Sequence, residues 1–315
     1  MKFKRYASFI CLIVLLASTL ASCSSSQDTF NDIDDPTSAS TYSVTVSDYS
    51  GNSYVLQKAP EGIYVSSPSA AETLIALGSA RLIRSCSAEC KDLKGIPSTT
   101  SVRSTSFITP QMLKDLGVDT VLFSSEDKAV NAEEYKEAGL KVFVFLEKGK
   151  ISTAESNIRL AGAIAFKTDL AEEIIKEIRN DIDVIRSISE NKASKRTVYL
   201  ECGNPDSFLA YTDNSLAGEL LSIAGGENIF TAQDDTVTAD IEVIKEKDPD
   251  VIISFINDES YTAKIIRKRE GLENISACKT GLVYIYDETF PAVRPAPSVS
   301  DALYEIAKLI GTVKK

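Results

Sequence analysis

The chain has 315 residues and a formal net charge of −11, and it contains no histidine and no tryptophan. The missing histidine excludes Ser-His-Asp triads, histidine-ligated zinc and axial-histidine haem ligation. An acidic chain is also unsuited to nucleic acids, so we expect no nucleic-acid partner. A ligand site must be built from Tyr, Phe, Arg, backbone groups and small polar side chains.

The first 22 residues have the pattern of a cleaved signal peptide. Three cations near the start precede an apolar run, which ends in Leu-Ala-Ser-Cys at positions 20–23, as in a bacterial lipoprotein cleavage box. The run is shorter than the ~20 apolar residues that span a bilayer, which disfavours an uncleaved anchor. We therefore predict lipid attachment at Cys23, an anchor on the outer face of the cytoplasmic membrane (periplasmic side or cell surface), and a mature formal charge of −14 after loss of Lys2, Lys4 and Arg5.

A flexible tether is predicted for residues 23–41, which are rich in Ser, Asp and Thr and poor in large apolar residues. The folded body then begins at residue 42. About 270 residues suffice for two domains of ordinary size.

The N-terminal lobe, residues 42–151, opens with a predicted hairpin across residues 44–56, where alternating residues flank a turn. From Gly62 the pattern changes to alternating strand and helix. Ile63-Tyr64-Val65 reads as a strand, and the helix that follows from about Ser69 can end at Gly78. This alternation indicates a parallel sheet covered by helices.

A helical connector is predicted for residues 152–192. Ser152 to Glu155 form a capping-box pattern, and isoleucines recur at helical intervals from Asp169 to Glu190. That second helix would be roughly 33 Å long, enough to cross between lobes and stiff enough to permit only small hinge motions.

The C-terminal lobe, residues 193–315, repeats the alternation of helices and strands that is predicted for the first lobe. A short helix at 241–247 precedes the strand Val251-Ile252-Ile253, much as the helix from Pro110 precedes the strand through Phe123. We therefore predict an α/β fold of two Rossmann-like lobes with central, mostly parallel sheets, joined by a long helix, with a ligand cleft between the lobes.

Four cysteines remain after the leader and the lipid-modified cysteine are set aside. They are Cys86, Cys90, Cys202 and Cys278. Outside the membrane they could pair as disulfides, with three possible connectivities, or remain free buried thiols. A metal site is disfavoured because Cys-x3-Cys lacks a second close cluster.

Several ordered segments together carry a family resemblance. They are the opening hairpin, the run VSSPSAAETL at 65–74, AGGEN at 224–228, DPDVII at 248–253 and RPAP at 294–297. On a lipoprotein this set resembles the helical-backbone class (cluster A or class III) of ABC-transporter substrate-binding proteins, which includes iron-siderophore, haem and cobalamin binders.

The resemblance implies a cleft site at the carboxyl ends of the strands, where open α/β sheets bind ligands. The implied ligand contacts are Ser67, Pro68, Arg103, Ser124, Tyr211, Phe255, Asn257 and Arg294. Arg103 and Arg294 suit the anionic oxygens of a chelate, the alternative being salt bridges within the protein. Tyr211 and Phe255 would stack on a planar ligand, with core packing the alternative for Phe255.

The resemblance also implies docking on an ABC permease, coupled to its ATPase, through one acidic residue on each lobe. Glu242 occupies the matching helix start in the second lobe, where the alternative is a glutamate that favours its own helix dipole. Gln111 occupies the position in the first lobe. A neutral amide loses most of the charge attraction, so a neighbour such as Asp115 could replace it.

The function implied is a monomeric, lipid-anchored receptor that captures a ferric siderophore or haem and delivers it to an ABC importer, with no catalytic residues and no cofactor of its own. Cobalamin is the alternative ligand, slightly disfavoured because the chain has arginines but no tryptophan. A receptor that signals without transport is a further alternative. A surface hydrolase is remote, since no base with a neutral pKa and no nucleophile elbow is visible. Free zinc or manganese is disfavoured by the missing histidines.

Overall fold

The computed structural model describes residues 43–127, 131–256, 258–286 and 293–314. These residues all belong to one compact unit. The predicted leader, tether and lipidated Cys23 lie outside the described residues, as does Asn257. Within the described ranges, no helix is both long enough and apolar enough to cross a membrane.

The first lobe contains a five-stranded parallel sheet and a separate hairpin. Its strands are β1 (Val44–Ser47), β2 (Ser53–Leu56), β3 (Ile63–Val65), β4 (Ile83–Cys86), β5 (Ser101–Val102), β6 (Thr120–Ser124) and β7 (Lys141–Phe145). Its helices are α1 (Pro68–Ala76), α2 (Ala88–Lys91), α3 (Pro110–Asp115) and α4 (Ala132–Glu137), with a short 3₁₀ turn at Ala80–Leu82. The strand order is β5-β4-β3-β6-β7, and every residue of β3 and β6 is buried. Such continuously buried strands are typical of a parallel sheet covered on both faces.

The predicted hairpin is present and covers the free edge of β7. In β1 and β2, Val44 pairs with Leu56 in antiparallel register. The turn side chain Asp48 accepts a hydrogen bond from the Val144 backbone at 2.7 Å, and the Tyr54 hydroxyl accepts one from Val142 at 3.2 Å. Two backbone donors of the edge strand are therefore satisfied by side chains rather than left open to another chain.

Two helices connect the lobes: α5 (Ile151–Ile164) and α6 (Thr168–Glu190). At ~1.5 Å per residue, the 23 residues of α6 span roughly 35 Å. The predicted isoleucine stripe faces the core from Ile174 to Ile185, but Ile188 is 40% exposed.

The predicted capping box at 152–155 is wrong. The helix begins one residue earlier, and the Ile151 backbone nitrogen donates to Glu219 Oε2 of the second lobe at 2.8 Å. Glu155 instead accepts hydrogen bonds from Arg179, at 2.7 and 2.5 Å. The N-terminus of α5 is therefore satisfied by Thr153, whose hydroxyl accepts a hydrogen bond from the Lys150 backbone at 3.1 Å, and by a carboxylate from a distant element, rather than by Ser152 and Glu155.

The second lobe carries a six-stranded mixed sheet. Its strands are β8 (Arg196–Asn204), β9 (Ser207–Tyr211), β10 (Gly226–Asn228), β11 (Thr236–Thr238), β12 (Val251–Ser254) and β13 (Val283–Ile285). Its helices are α7 (Leu216–Ile223), α8 (Ile241–Lys247), α9 (Ala263–Arg267), α10 (Ser276–Thr280) and α11 (Val299–Leu309). The order is β11-β9-β8-β12-β13, with β10 beside the start of β8; β9 and β11 run antiparallel to their neighbours.

The largest hydrophobic core extends through both lobes, and each lobe has a smaller core of its own. The largest core includes Val65 of the first sheet, Ile158 and Ile175 of the connector, and Leu200 and Ile306 of the second lobe. The connector therefore packs as part of both lobes rather than as a free linker. The predicted α/β class, with two sheets and a long connecting helix, is confirmed.

Candidate ligand-binding site

The first-lobe edge is the end of the first sheet where its five parallel strands, β3 to β7, finish. Ser66 donates its hydroxyl hydrogen to Asp127, and the Ser124 backbone nitrogen lies 3.1 Å from Asp127 Oδ2 and 3.0 Å from Ser66 Oγ. Ser124 is itself buried. This network ties the ends of β3 and β6 together and fixes the loop that follows β6.

Ser67, a predicted ligand contact, is fully buried and bonded within the protein. Its oxygen caps α1 by accepting from the Ala70 nitrogen at 3.0 Å, and its hydroxyl donates to Glu147. Pro68 supplies the first residue of α1 and is half-buried. The geometry supports a structural role for Ser67, and its ligand contact stays a prediction.

Glu147 is a largely buried carboxylate at this edge. It also accepts the Ser69 hydroxyl at 2.7 Å. Burial raises the pKa of Glu147, and the hydrogen bonds from Ser67 and Ser69 and the nearby Arg294 oppose that rise. No sequence motif indicated this residue, because its hydroxyl donors Ser67 and Ser69 are 80 and 78 positions away from it in the chain.

Arg103 lies on the first-lobe edge with its guanidinium available. Its backbone nitrogen donates to the Cys86 carbonyl, and its Nη1 donates to the neighbouring Val102 carbonyl at 3.2 Å. The side chain is exposed and makes no ion pair with any described residue. In the same loop Phe107 is 80% exposed, an aromatic that the sequence analysis missed. In the sequence, only the position of Phe107 in a loop after a strand could have indicated a role in binding.

Arg294 forms a contact between the lobes. Its Nε lies 3.8 Å from Glu72 Oε2 on α1, while Glu72 Oε1 accepts the Ser298 backbone nitrogen at 2.6 Å. Burial raises the pKa of Glu72, opposed chiefly by Arg294. The Nη1 of Arg294 is buried and has no hydrogen-bond partner among the described residues. Arg294 therefore forms the alternative salt bridge within the protein, and its Nη1 still has a hydrogen to donate.

Asn157 joins the same inter-lobe contact from the connector. Its Nδ2 donates to the Leu146 carbonyl at 2.8 Å and to the Pro295 carbonyl at 2.9 Å. Leu146 follows the last strand of the first sheet, whereas Pro295 belongs to the second lobe. A single buried amide thus links the first-lobe edge to the RPAP segment.

The predicted stacking residues belong to an aromatic cluster in the second lobe. Tyr211 meets Phe255 edge-on at 5.5 Å between centroids, and Phe255 meets Tyr286 at 4.7 Å. Tyr211 and Phe255 are partly buried against the core, and burial raises the pKa of Tyr211 to about 12. Core packing is therefore one role of Phe255, and stacking on a ligand stays a prediction. Asn257 falls outside the described residues.

The two predicted docking residues are exposed at helix starts. Gln111 donates to Asp115 at 2.8 Å on α3, and Glu242 pairs with Lys245 at 2.9 Å on α8. The Glu242 side chain is 77% exposed. Asp115, the proposed acidic substitute, is therefore in direct contact with Gln111.

All four mature cysteines are free in the structure, which contradicts the disulfide alternative. Cys86 and Cys90 are fully buried in the first-lobe core. Burial raises the pKa of Cys90 to about 12, so the thiol stays protonated and unreactive near neutrality. The alternative of free thiols holds, although Cys278 is only partly buried.

A two-lobed ligand-binding protein is the class that this fold and these strand-end sites define. The family model for periplasmic binding proteins matches residues 65–289, which extend across both sheets. The chain therefore belongs to the periplasmic binding protein family, a family of substrate-binding proteins rather than enzymes, and the family predicted from the sequence is confirmed.

Individual relatives share both length and fold with this chain. The uncharacterised ABC transporter substrate-binding lipoprotein YvrC of Bacillus subtilis is 23% identical over 313 residues, covering 98% of each chain. A possible iron-binding (periplasmic solute-binding) protein from Staphylococcus epidermidis superposes with a TM-score of 0.70 at 20% identity, covering 80% of this chain and 99% of that one. Staphylococcus aureus IsdE complexed with haem gives a TM-score of 0.66 at 20% identity, covering 79% and 98%.

Proposed function

We propose that this protein is a lipid-anchored receptor that captures a ferric siderophore or haem outside the cytoplasmic membrane and delivers it to an ABC permease and its ATPase. The observation that carries the proposal is the family match across both lobes. The protein acts by binding and release, and the chelate is its cargo.

The chemistry of the first-lobe edge supports an anionic chelate. Arg103 has an exposed guanidinium with no competing carboxylate among the described residues. A planar guanidinium can donate two parallel hydrogen bonds to carboxylate, catecholate or hydroxamate oxygens. The exposed ring of Phe107, four positions along the same loop, offers a surface for the organic part of a chelate. The names of the staphylococcal relatives, one iron-binding and one bound to haem, agree with this cargo.

The lipid anchor rests on the cleavage box at residues 20–23 and on the similarity to a lipoprotein of nearly equal length. Attachment at Cys23 would keep the receptor within reach of its permease. Mass spectrometry of the membrane fraction should find a diacylglyceryl-modified N-terminal cysteine.

A ligand panel tests the proposed cargo. The panel contains ferric siderophores, haem and cobalamin, and thermal unfolding is followed for the mature chain. A ligand present at 100 times its dissociation constant should add about 2.7 kcal/mol to the free energy of unfolding. Arg103→Ala should weaken the binding of an anionic chelate by roughly tenfold or more, because a hydrogen bond to a charged group contributes about 1.5–3 kcal/mol.

Arg81→Ala is the matched control, since Arg81 is another exposed arginine of the first lobe. It should leave the affinity unchanged. Adding Arg294→Ala to Arg103→Ala should abolish binding of an anionic chelate. Unchanged affinity of the double variant for the chelate would rule out Arg103 and Arg294 as ligand contacts. If no iron chelate raised the melting temperature, the proposed iron-chelate cargo would be wrong.

Docking is proposed to be asymmetric between the lobes. Glu242 presents a full negative charge at the start of α8, whereas Gln111 presents a neutral amide beside Asp115. Glu242→Arg should therefore reduce uptake of the chelate in cells while ligand affinity of the purified protein stays the same. Gln111→Arg should have the smaller effect. Normal uptake by the Glu242→Arg variant would remove the docking role.

A further inference from the structure

A pocket of about 580 Å³ opens beside α9 in the second lobe. One side is formed by the β8–β9 turn at Pro205 and by Phe208 of β9, and the other by Tyr261 and the exposed face of α9. The β8–β9 turn and the loop that leads from β12 to α9 both follow the carboxyl ends of parallel strands. This α9 pocket therefore lies at the edge of the second sheet where open α/β folds bind ligands.

The aromatic wall of the α9 pocket is held in place. The rings of Phe208 and Tyr261 are 6.4 Å apart at their centroids and inclined by 35°. The Arg269 guanidinium carbon lies 3.8 Å from the centroid of the Phe208 ring. Gly203 permits the tight turn that brings Phe208 here, since its φ is +97° and a Cβ would lie 2.3 Å from the Ser207 oxygen.

Arg269 is an anchor rather than a free cation. Its Nη1 lies 2.6 Å from Glu201 Oε1, and Glu201 is fully buried on β8. The Tyr261 hydroxyl donates to the other carboxylate oxygen at 2.9 Å, and Arg269 also contacts that hydroxyl. Glu201 neutralises the guanidinium, so the charge available to a ligand must come from other residues.

The available charge comes from two lysines on the α9 side of the pocket. Lys264 and Lys268 are exposed, lie four positions apart, and make no ion pair with any described residue. Like charges at this spacing destabilise a helix by a few tenths of a kcal/mol. Between them Ile265 also lines the pocket and is 46% exposed. The chain as a whole has a net charge of −11, so this patch of unpaired cations and apolar surface differs in charge from most of the protein.

We propose that the α9 pocket is a subsite for an anionic aryl group of the ligand, with the ring on Phe208 and Ile265 and its oxygens toward Lys264 and Lys268. This inference rests on the proposed capture of a chelate, and it specifies the chemical class of that chelate. A catecholate of a ferric siderophore has its oxygens on the ring itself, and haem combines an aromatic ring system with carboxylates on short side chains. A neutral ferric hydroxamate lacks an anionic aryl group.

The test compares two charge-matched double variants of the mature chain. Lys264→Glu/Lys268→Glu reverses the pocket charges, whereas Lys176→Glu/Lys247→Glu reverses two exposed lysines on α6 and α8. Affinities for a ferric tricatecholate, haem and a neutral ferric trihydroxamate are measured by calorimetry. The pocket variant should bind at least one anionic chelate about tenfold or more weakly and the trihydroxamate normally, because reversed charges repel only the anions. The control variant should bind every ligand within about twofold of the unsubstituted protein.

Which anionic chelate loses affinity distinguishes a catecholate source from haem. Equal affinities of the two double variants for all chelates would overturn the subsite and leave chelate capture standing. A further arm uses free 2,3-dihydroxybenzoate, with binding followed by saturation-transfer NMR. If the unsubstituted protein binds this aryl anion but no chelate, and the pocket variant alone loses that binding, the result would support the subsite and overturn the proposed function. No binding of any of these compounds would overturn both.

Discussion

The carboxyl edges of the two sheets follow the same topological rule but differ in how their polar side chains are paired. In the first lobe, hydroxyls donate to carboxylates of the same edge, as Ser66 does to Asp127 and Ser67 does to Glu147. In the second lobe, Lys264 and Lys268 have no ion-pair partner among the described residues and stand beside an aromatic wall. Strand ends predict where a ligand site lies, whereas the neighbouring side chains decide which groups remain available to the ligand.

Each edge also contains one buried carboxylate, and the two are stabilised differently. Glu201 has a charged partner in Arg269 and hydroxyl donors in Tyr261 and Tyr199. Glu147 relies mainly on the hydroxyls of Ser67 and Ser69. A full counter-charge compensates burial more completely than neutral donors do, so the two carboxylates should respond differently to substitution and to pH.

The largest effect is expected for Glu201→Ala. Removing the carboxylate leaves Arg269 buried without its counter-charge, which should lower the free energy of unfolding by about 3–5 kcal/mol. Urea denaturation of the mature chain measures this loss.

The comparison for that variant is Glu242→Ala, which removes an exposed glutamate from a surface pair with Lys245. It should cost about 0–1 kcal/mol. A Glu201→Ala variant no less stable than Glu242→Ala would show that the second-lobe pair does not hold the aromatic wall in place.

Local patterns in the sequence were sufficient to predict the backbone architecture. The hairpin, the strand and helix alternation and the long connector depend on residue periodicity and turn residues, which act between near neighbours. The cap of α5 was predicted two residues too late, because Lys150 rather than Ser152 is bonded by the Thr153 hydroxyl, and the Ile151 nitrogen bonds to Glu219, 68 positions away. Contacts of this kind leave no local trace.

The site was predicted less completely for the same reason. Arg103 was a candidate because it lies in the polar loop 98–106, and its ligand contact stays a prediction. Arg294 could not be distinguished from a salt bridge until Glu72 was placed beside it. Arg269 lies in the charged stretch 267–270, which resembles any solvated helix end. Glu201 did carry a signal: it is the only charged residue in the apolar run 198–202, and a buried charge requires a partner.

An intermediate effect is expected for Ser67→Ala, compared with Ser215→Ala. Both serines cap a helix through a 3.0 Å bond to a backbone nitrogen, and both are buried. Loss of a cap costs about 0.5–2 kcal/mol. Ser67→Ala also removes a donor to the Glu147 carboxyl, whereas Ser215→Ala removes a donor to the neutral Thr212 carbonyl. Because a hydrogen bond to a charged acceptor contributes more than one to a neutral acceptor, we expect Ser67→Ala to cost roughly 1 kcal/mol more than Ser215→Ala. Thermal or urea unfolding measures the difference.

The same pair of variants tests whether the first-lobe hydroxyl serves the fold or the ligand. If Ser67 is structural, chelate affinity should be the same for both variants under conditions where each is folded. A loss of affinity in Ser67→Ala without a loss of stability would reverse this assignment and restore Ser67 as a ligand contact.

The smallest effect is a difference in pH dependence between Glu147→Gln and Glu155→Gln. Burial raises the pKa of Glu147, so the folded state holds its proton more tightly, and this group's contribution to stability falls as pH rises above the ordinary value of 4.5. The Arg179 hydrogen bond lowers the pKa of Glu155, so its contribution is present above the ordinary value and is lost as pH falls. Over a range from about pH 3 to 8, and relative to the unsubstituted protein, Glu147→Gln should therefore gain stability as pH rises above about 4.5, whereas Glu155→Gln should lose stability as pH rises toward about 4.5 and change little above it. Melting temperatures across this range measure the two slopes, and slopes of the same sign would contradict the contrast between a carboxylate held by hydroxyls and one held by arginine.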